Sequence, residues 1–235
     1  MDKISREKLY NRITYLLFAC LLIVTMFFPM FTIKNVVGTY SEEEASSVSA
    51  LQIMKVGLKS EEQLIKDKIS LSLDVEEIKD AWKKEGKTDE QIEKALKTNS
   101  TYNELILIDV HMQDMSVLKP MAITMVVLYS LIGALALLFV LSMILNKDVL
   151  DVIGMFTTAA VAVVGIVVLV LSFGLTVKIN ASQSLLICGE LMMYFATVAP
   201  VIFAVIQVIE YFVARRKRKI SESEIIKPFT GTVEE

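Results

Sequence analysis

Four uninterrupted apolar stretches constrain this chain more than any other feature: residues 13–33, 121–145, 152–177 and 191–214. Each holds 21 or more residues without a Lys or Arg. At about 1.5 Å per residue, each exceeds the roughly 30 Å hydrocarbon core of a bilayer. With 54% hydrophobic and only 22% charged residues, the chain is too apolar for a soluble domain of 235 residues. The fold class expected is a membrane all-α bundle of four transmembrane helices with an inserted extracytoplasmic α+β domain, mainly helical.

The organisation that follows is an N-terminal segment 1–12, spans at 13–33, 120–145, 152–177 and 191–214, an outer domain 34–119, a short loop 146–151, an outer loop 178–190 and a tail 215–235. Lys3, Arg6, Lys8 and Arg12 precede the first span; Arg215, Arg216, Lys217, Arg218 and Lys219 follow the last. Basic residues flanking spans are retained in the cytoplasm, so both termini are expected inside. The basic block reads as a stop-transfer anchor that meets anionic headgroups, and not as a nucleic-acid patch, because only the acidic tail SESEIIKPFTGTVEE, expected to be unstructured, follows it. The first span is too long for a signal-peptide core and lacks a small-residue cleavage site. Cys20 lies mid-span and Cys188 near the outer end of span four, too far apart in depth to bond. A cysteine-free outer domain suits a bacterial plasma membrane.

Residues 34–119 carry 17 acidic residues and 12 lysines. Ser60/Gln63, Asp74/Glu77 and Thr88/Gln91 have capping-box spacing and mark three helix starts. The second of these helices runs over 75–85 with Val75, Ile78 and Trp82 on one face, Trp82 as the anchor and Gly86 as left-handed terminator. The third turns Ile92, Ala95 and Leu96 inward, and an earlier helix over 48–58 offers a stripe of Leu51, Met54 and Leu58. Strands are expected at 32–40, 69–73 and 105–112, the first and last pairing antiparallel.

Little of the sequence carries chemistry. Gly86-Lys87-Thr88 lacks the earlier glycine of a phosphate-binding loop, since position 81 is alanine. His111, the only histidine, sits between Asp109 and Asp114, a weak metal-site candidate without the nitrogen and sulfur ligands of catalytic zinc. No cofactor is expected, and no enzyme. Gly154, Thr158, Ala162 and Gly165 form a small-residue packing face on span three, with Ser130 and Ala134 a weaker counterpart on span two. On span four, Ala196, Pro200, Phe203, Gln207, Glu210 and Ala214 share one stripe. Gln207 and Glu210 are its polar members, with the carboxylate placed to reach headgroups and pair with arginine.

The layout resembles that of claudin-type proteins, but the outer domain departs from them by lacking the Trp-Gly-Leu-Trp and paired-cysteine signature. No site is carried over. The function expected is a non-enzymatic accessory or interaction subunit of a membrane complex, acting through its outer domain on a protein partner. The alternative is a transport or channel component using Gln207 and Glu210.

Overall fold

The computed structural model describes residues 3–37, 41–173, 176–178 and 183–225, with side-chain surroundings for all of these except 3–5, 7, 35–46, 176–178, 183–188 and 217–225. In chain order the elements are α1 (Lys3–Thr25), β1 (Pro29–Val37), β2 (Ser41–Ser49), α2 (Ala50–Gly57), α3 (Glu61–Lys84), α4 (Asp89–Leu96), α5 (Ser100–Gln113), α6 (Met115–Leu145), α7 (Asp148–Ser172), β3 (Thr176–Lys178), β4 (Gln183–Gly189) and α8 (Leu191–Ile225).

Four helical segments are long and apolar enough to cross a bilayer: Lys8–Thr25, Met115–Leu145, Asp148–Ser172 and Leu191–Arg216. Their outward faces are apolar: Leu17, Leu137, Ile144, Val163 and Ile202 are all more than half exposed. That distribution suits a hydrocarbon solvent and marks a multi-pass membrane protein. The first apolar run is helical only to Thr25, because Pro29 onward enters β1. The third ends at Ser172.

Contacts fix the threading. The start of α1 meets the α6–α7 turn through Lys8–Asp148 and Arg12–Asp151, and meets the later part of α8 through Tyr15–Glu210. The sheet and α2–α5 lie at the opposite end of the bundle.

There, β1 pairs antiparallel with β2 on one side and with β4 on the other, and β3 closes the order β2-β1-β4-β3. The partner expected for β1 was residues 105–112; the actual second partner comes from the connection between spans three and four. Residues 105–112 belong instead to α5, started by Asn99, whose side chain accepts from the backbone N–H of Thr101 (2.9 Å) and Tyr102 (3.2 Å). Its continuous apolar run is explained by burial: Asn103, Glu104, Leu107, Ile108 and His111 are all inside. Residues 69–73 are likewise helical, within α3. No breaker stands between the Gln63 side chain accepting from the Ser60 N–H at its start and Gly86 (φ 84°) at its end, so the Ser/Leu alternation is absorbed and Asp74 starts no helix. The third capping box is as read, with Thr88 and Gln91 bonded reciprocally at the start of α4.

One core joins sheet, extramembrane helices and bundle. Phe31, Ile33, Val48, Ile53, Val56, Leu64, Leu107 and Ile108 are continuous with Met121, Met125, Leu128, Val168 and Met193. α2 buries Ala50, Ile53, Val56 and Gly57, not Leu51 and Leu58, which are exposed. Gly57 is needed: a Cβ there would lie 2.6 Å from the Ala122 Cβ and 3.0 Å from the Leu118 carbonyl oxygen of α6. The seam is closed again at Glu190, whose side chain accepts from Thr32 and Ser47 while its N–H donates to the Met30 carbonyl (2.8 Å). The acidic tail departs from expectation as well, since α8 continues to Ile225 through the basic block; residues 226–235 lie outside the described residues.

Candidate functional site

Two places combine exposure with unusual chemistry. The first is the outward face of α3. Ile65, Ile69 and Leu73, one turn apart, are 43%, 60% and 66% exposed, while Leu64 and Val75 on the opposite face are buried. Glu62 and Glu76 stand on the same outward face, a turn beyond each end of the row, and Asp80 follows. At its far end α3 packs with α4: Trp82 is half-buried against the cluster of Val75, Ile92 and Leu96, with the Lys87 ammonium 4.6 Å over its ring.

The second is a cavity of about 520 Å³ at the end of the bundle that bears the start of α1. It falls within the size range of small-molecule sites. The common end at which α1 and α7 both start sets its rim. Arg12 is 4% exposed and binds Asp151 with two nitrogens (Nε–Oδ1 3.0 Å, Nη2–Oδ2 2.7 Å), and Asn146 with the third (2.7 Å). Ser142 also donates to Asp151, and Lys8 reaches Asp148 at 2.8 Å. These cations are therefore neutralised.

The inner half is built by α8. Gln207 is 5% exposed and its Oε1 has no partner among the described residues, although it lines the cavity. Glu210, one turn on, accepts the Tyr15 hydroxyl through Oε2 and pairs with no arginine among the described residues. Tyr15, Phe139 and Tyr211 supply aromatic walls. Beyond them Phe18 and Phe203 stack at 3.9 Å, and Tyr15 packs on both Phe139 and Phe203 (5.3 and 5.2 Å). The cavity ends at this aromatic cluster.

The remaining candidates fall elsewhere. Asp109 pairs with Lys68 at 2.6 Å, and Asp114 caps α6 through the Ser116 N–H (2.9 Å) and hydroxyl (2.6 Å). His111 is 1% exposed with both ring nitrogens unpartnered among the described residues; burial first, then the Lys119 charge, holds its pKa below the ordinary imidazole value. The three are not brought together, and no metal-holding group occurs among the described residues. Gly154, Thr158, Ala162 and Gly165 are buried along α7, with Gly154 facing Phe139 and Gly165 facing the Thr197 backbone of α8. Ser130 and Ala134 face outward and pack nothing comparable. Arg215 and Arg216 are exposed; the side chains of Lys217, Arg218 and Lys219 lie outside the described residues.

Sequence reasoning treated Lys8 and Arg12 as topological charges and passed over Asn146, Asp148, Asp151 and Tyr15. The available signal was opposite charge at the same end of two consecutive-facing spans, with Asp148 and Asp151 one turn apart. No family model, curated protein or solved structure matches this chain. Its functional reading rests on its own residues.

Proposed function

We propose that this multi-pass protein is a non-enzymatic interaction subunit of a membrane complex, with both termini cytoplasmic and α2–α5 presented outside to a protein partner. The observation that carries this reading is the exposed row Ile65, Ile69 and Leu73 on a helix whose other outward positions are polar. An apolar row bounded by Glu62, Glu76 and Asp80 suits a partner segment that is apolar in the middle and basic at its ends. Two-fold self-pairing about Ile69 would instead set Glu62 against Glu76. The shared core makes this surface rigid relative to the bundle, so a partner held there is positioned against the membrane spans. The orientation rests on the basic residues at the opposite end.

A photo-reactive residue at Ile69, irradiated in native membranes, tests the reading. A discrete protein adduct that disappears in the Ile65→Asp/Leu73→Asp variant is expected. Labelling of lipid alone, or no adduct at normal abundance, would overturn it. Transport is the second reading, favoured by the cavity at Gln207 and Glu210. It stands second because the stacked Phe18 and Phe203 close the inner end.

A further inference from the structure

We infer that the cavity between α1, α7 and α8 is a binding site for an organic ammonium ion, with Gln207 and Glu210 as its recognition pair. This does not depend on the partner-binding role of α3.

The charges divide unevenly within the cavity. At the rim, Lys8 and Arg12 are taken up by Asp148 and Asp151, and Arg215, also in the lining, is exposed. In the inner half the acceptors are the Gln207 carbonyl oxygen, buried with no partner among the described residues, and the Glu210 carboxylate, which receives the Tyr15 hydroxyl. A buried unpartnered amide oxygen is unfavourable, and a donor from a ligand removes that cost. An anion entering past Arg215 would still meet the Glu210 carboxylate, which repels it. A neutral apolar molecule would leave the oxygen unsatisfied.

A cation satisfies both acceptors. It also meets Tyr15, Phe139 and Tyr211, aromatic residues whose ring quadrupoles favour ammonium groups. Of the remaining lining, Asn11 and Arg215 are polar, and Val152, Met155 and Ala214 accept an apolar substituent. The ligand class is therefore a protonated or quaternary amine with a short apolar body. The same ammonium chemistry is carried by a soluble amine and by the headgroup of an aminophospholipid.

The test uses the full chain in maltoside detergent, titrated calorimetrically with butylammonium and butyltrimethylammonium, and with butanol and butyrate as neutral and anionic counterparts. Saturable binding of the ammonium compounds alone is expected, weakened at least about tenfold by Glu210→Gln, which keeps size but removes the charge. Gln207→Leu provides an independent check and should weaken binding in a variant that retains Glu210. Competition by phosphatidylethanolamine but not phosphatidylglycerol would assign the ligand to the lipid. Displacement by soluble amines without such competition would assign it to the aqueous phase. Absence of saturable binding, equal binding of butyrate, or parental affinity in both Glu210→Gln and Gln207→Leu would overturn the site.

Discussion

Arg12 and Asp151, 139 residues apart in the chain, form a two-point ion pair (3.0 and 2.7 Å) that holds the start of the first span to the start of the third. Arg12 is nearly inaccessible, whereas the Asp151 side chain is 36% exposed. Removing the acid strands a buried guanidinium, so Asp151→Ala should cost about 3 kcal/mol, less if water reaches the vacated space. Arg12→Leu should cost less, because the exposed carboxylate is easily solvated. Resistance to unfolding in graded denaturing detergent measures both, and equal losses would show that the pair acts through something other than burial of Arg12.

Gly57 marks the tightest approach between the extramembrane helices and the bundle. Gly57→Ala brings a methyl group within 2.6 Å of the Ala122 Cβ and should destabilise by about 1–3 kcal/mol. Pairing it with Ala122→Gly should restore part of that loss. Hydrogen exchange of α2 and the first turns of α6 reads the effect directly.

Folded His111 resists protonation because it is buried without partners and lies near Lys119. Below the ordinary imidazole value of 6.5 the unfolded chain takes up a proton that the folded chain refuses. Stability should therefore fall as pH drops from 7 through 6.5, and stop falling only where the folded imidazole itself titrates. His111→Leu should remove that slope. Thermal denaturation between pH 5 and 7 is the measurement, and an unchanged slope in the variant would place the dependence on another group.

The four spans were legible because bilayer thickness imposes a long apolar run on each, a demand that composition alone meets. Helix starts at Ser60 and Thr88 and the stop at Gly86 were legible because capping is local chemistry. The helices over 69–73 and 105–112 were not, since short apolar runs fit either state and the deciding feature was three-dimensional burial of α5 and the absence of a breaker in α3. The β1–β4 pairing and the Arg12–Asp151 pair escaped because both join distant parts of the chain. In the candidate cavity, Gln207 and Glu210 could be named from the stripe on α8, but the aromatic wall from α1 and α6 could not.

Trp82 ties the α3–α4 tip together while remaining half-exposed. Trp82→Ala should cost about 1–3 kcal/mol, below the loss for a fully buried tryptophan. The loss should stay local: faster proteolysis between 83 and 99, with the bundle unaffected. Unchanged proteolysis would show that the side chain serves an outside surface.

The proposed orientation is open to a direct test. A cysteine at Gly86, whose backbone already stands in the left-handed region, would strain the turn, so Lys84→Cys is the better reporter. It should react with an impermeant maleimide in intact cells, while a tag on either terminus should be protected. Protection of position 84 would invert the molecule in the membrane.

The central sheet also sets a timetable for synthesis. β1 is flanked by β2, its neighbour in sequence, and by β4, which is translated only after α2–α5 and two further spans. At about 5–20 residues per second, roughly 7–30 s separate the two strands as they emerge. Throughout that interval the β1–β2 hairpin presents an open row of backbone donors and acceptors, the kind of edge that captures stray strands. The nascent protein is thus most vulnerable when it is already anchored by its first helix, and a chaperone acting on the sheet's side of the membrane during those seconds would have β1 as its substrate.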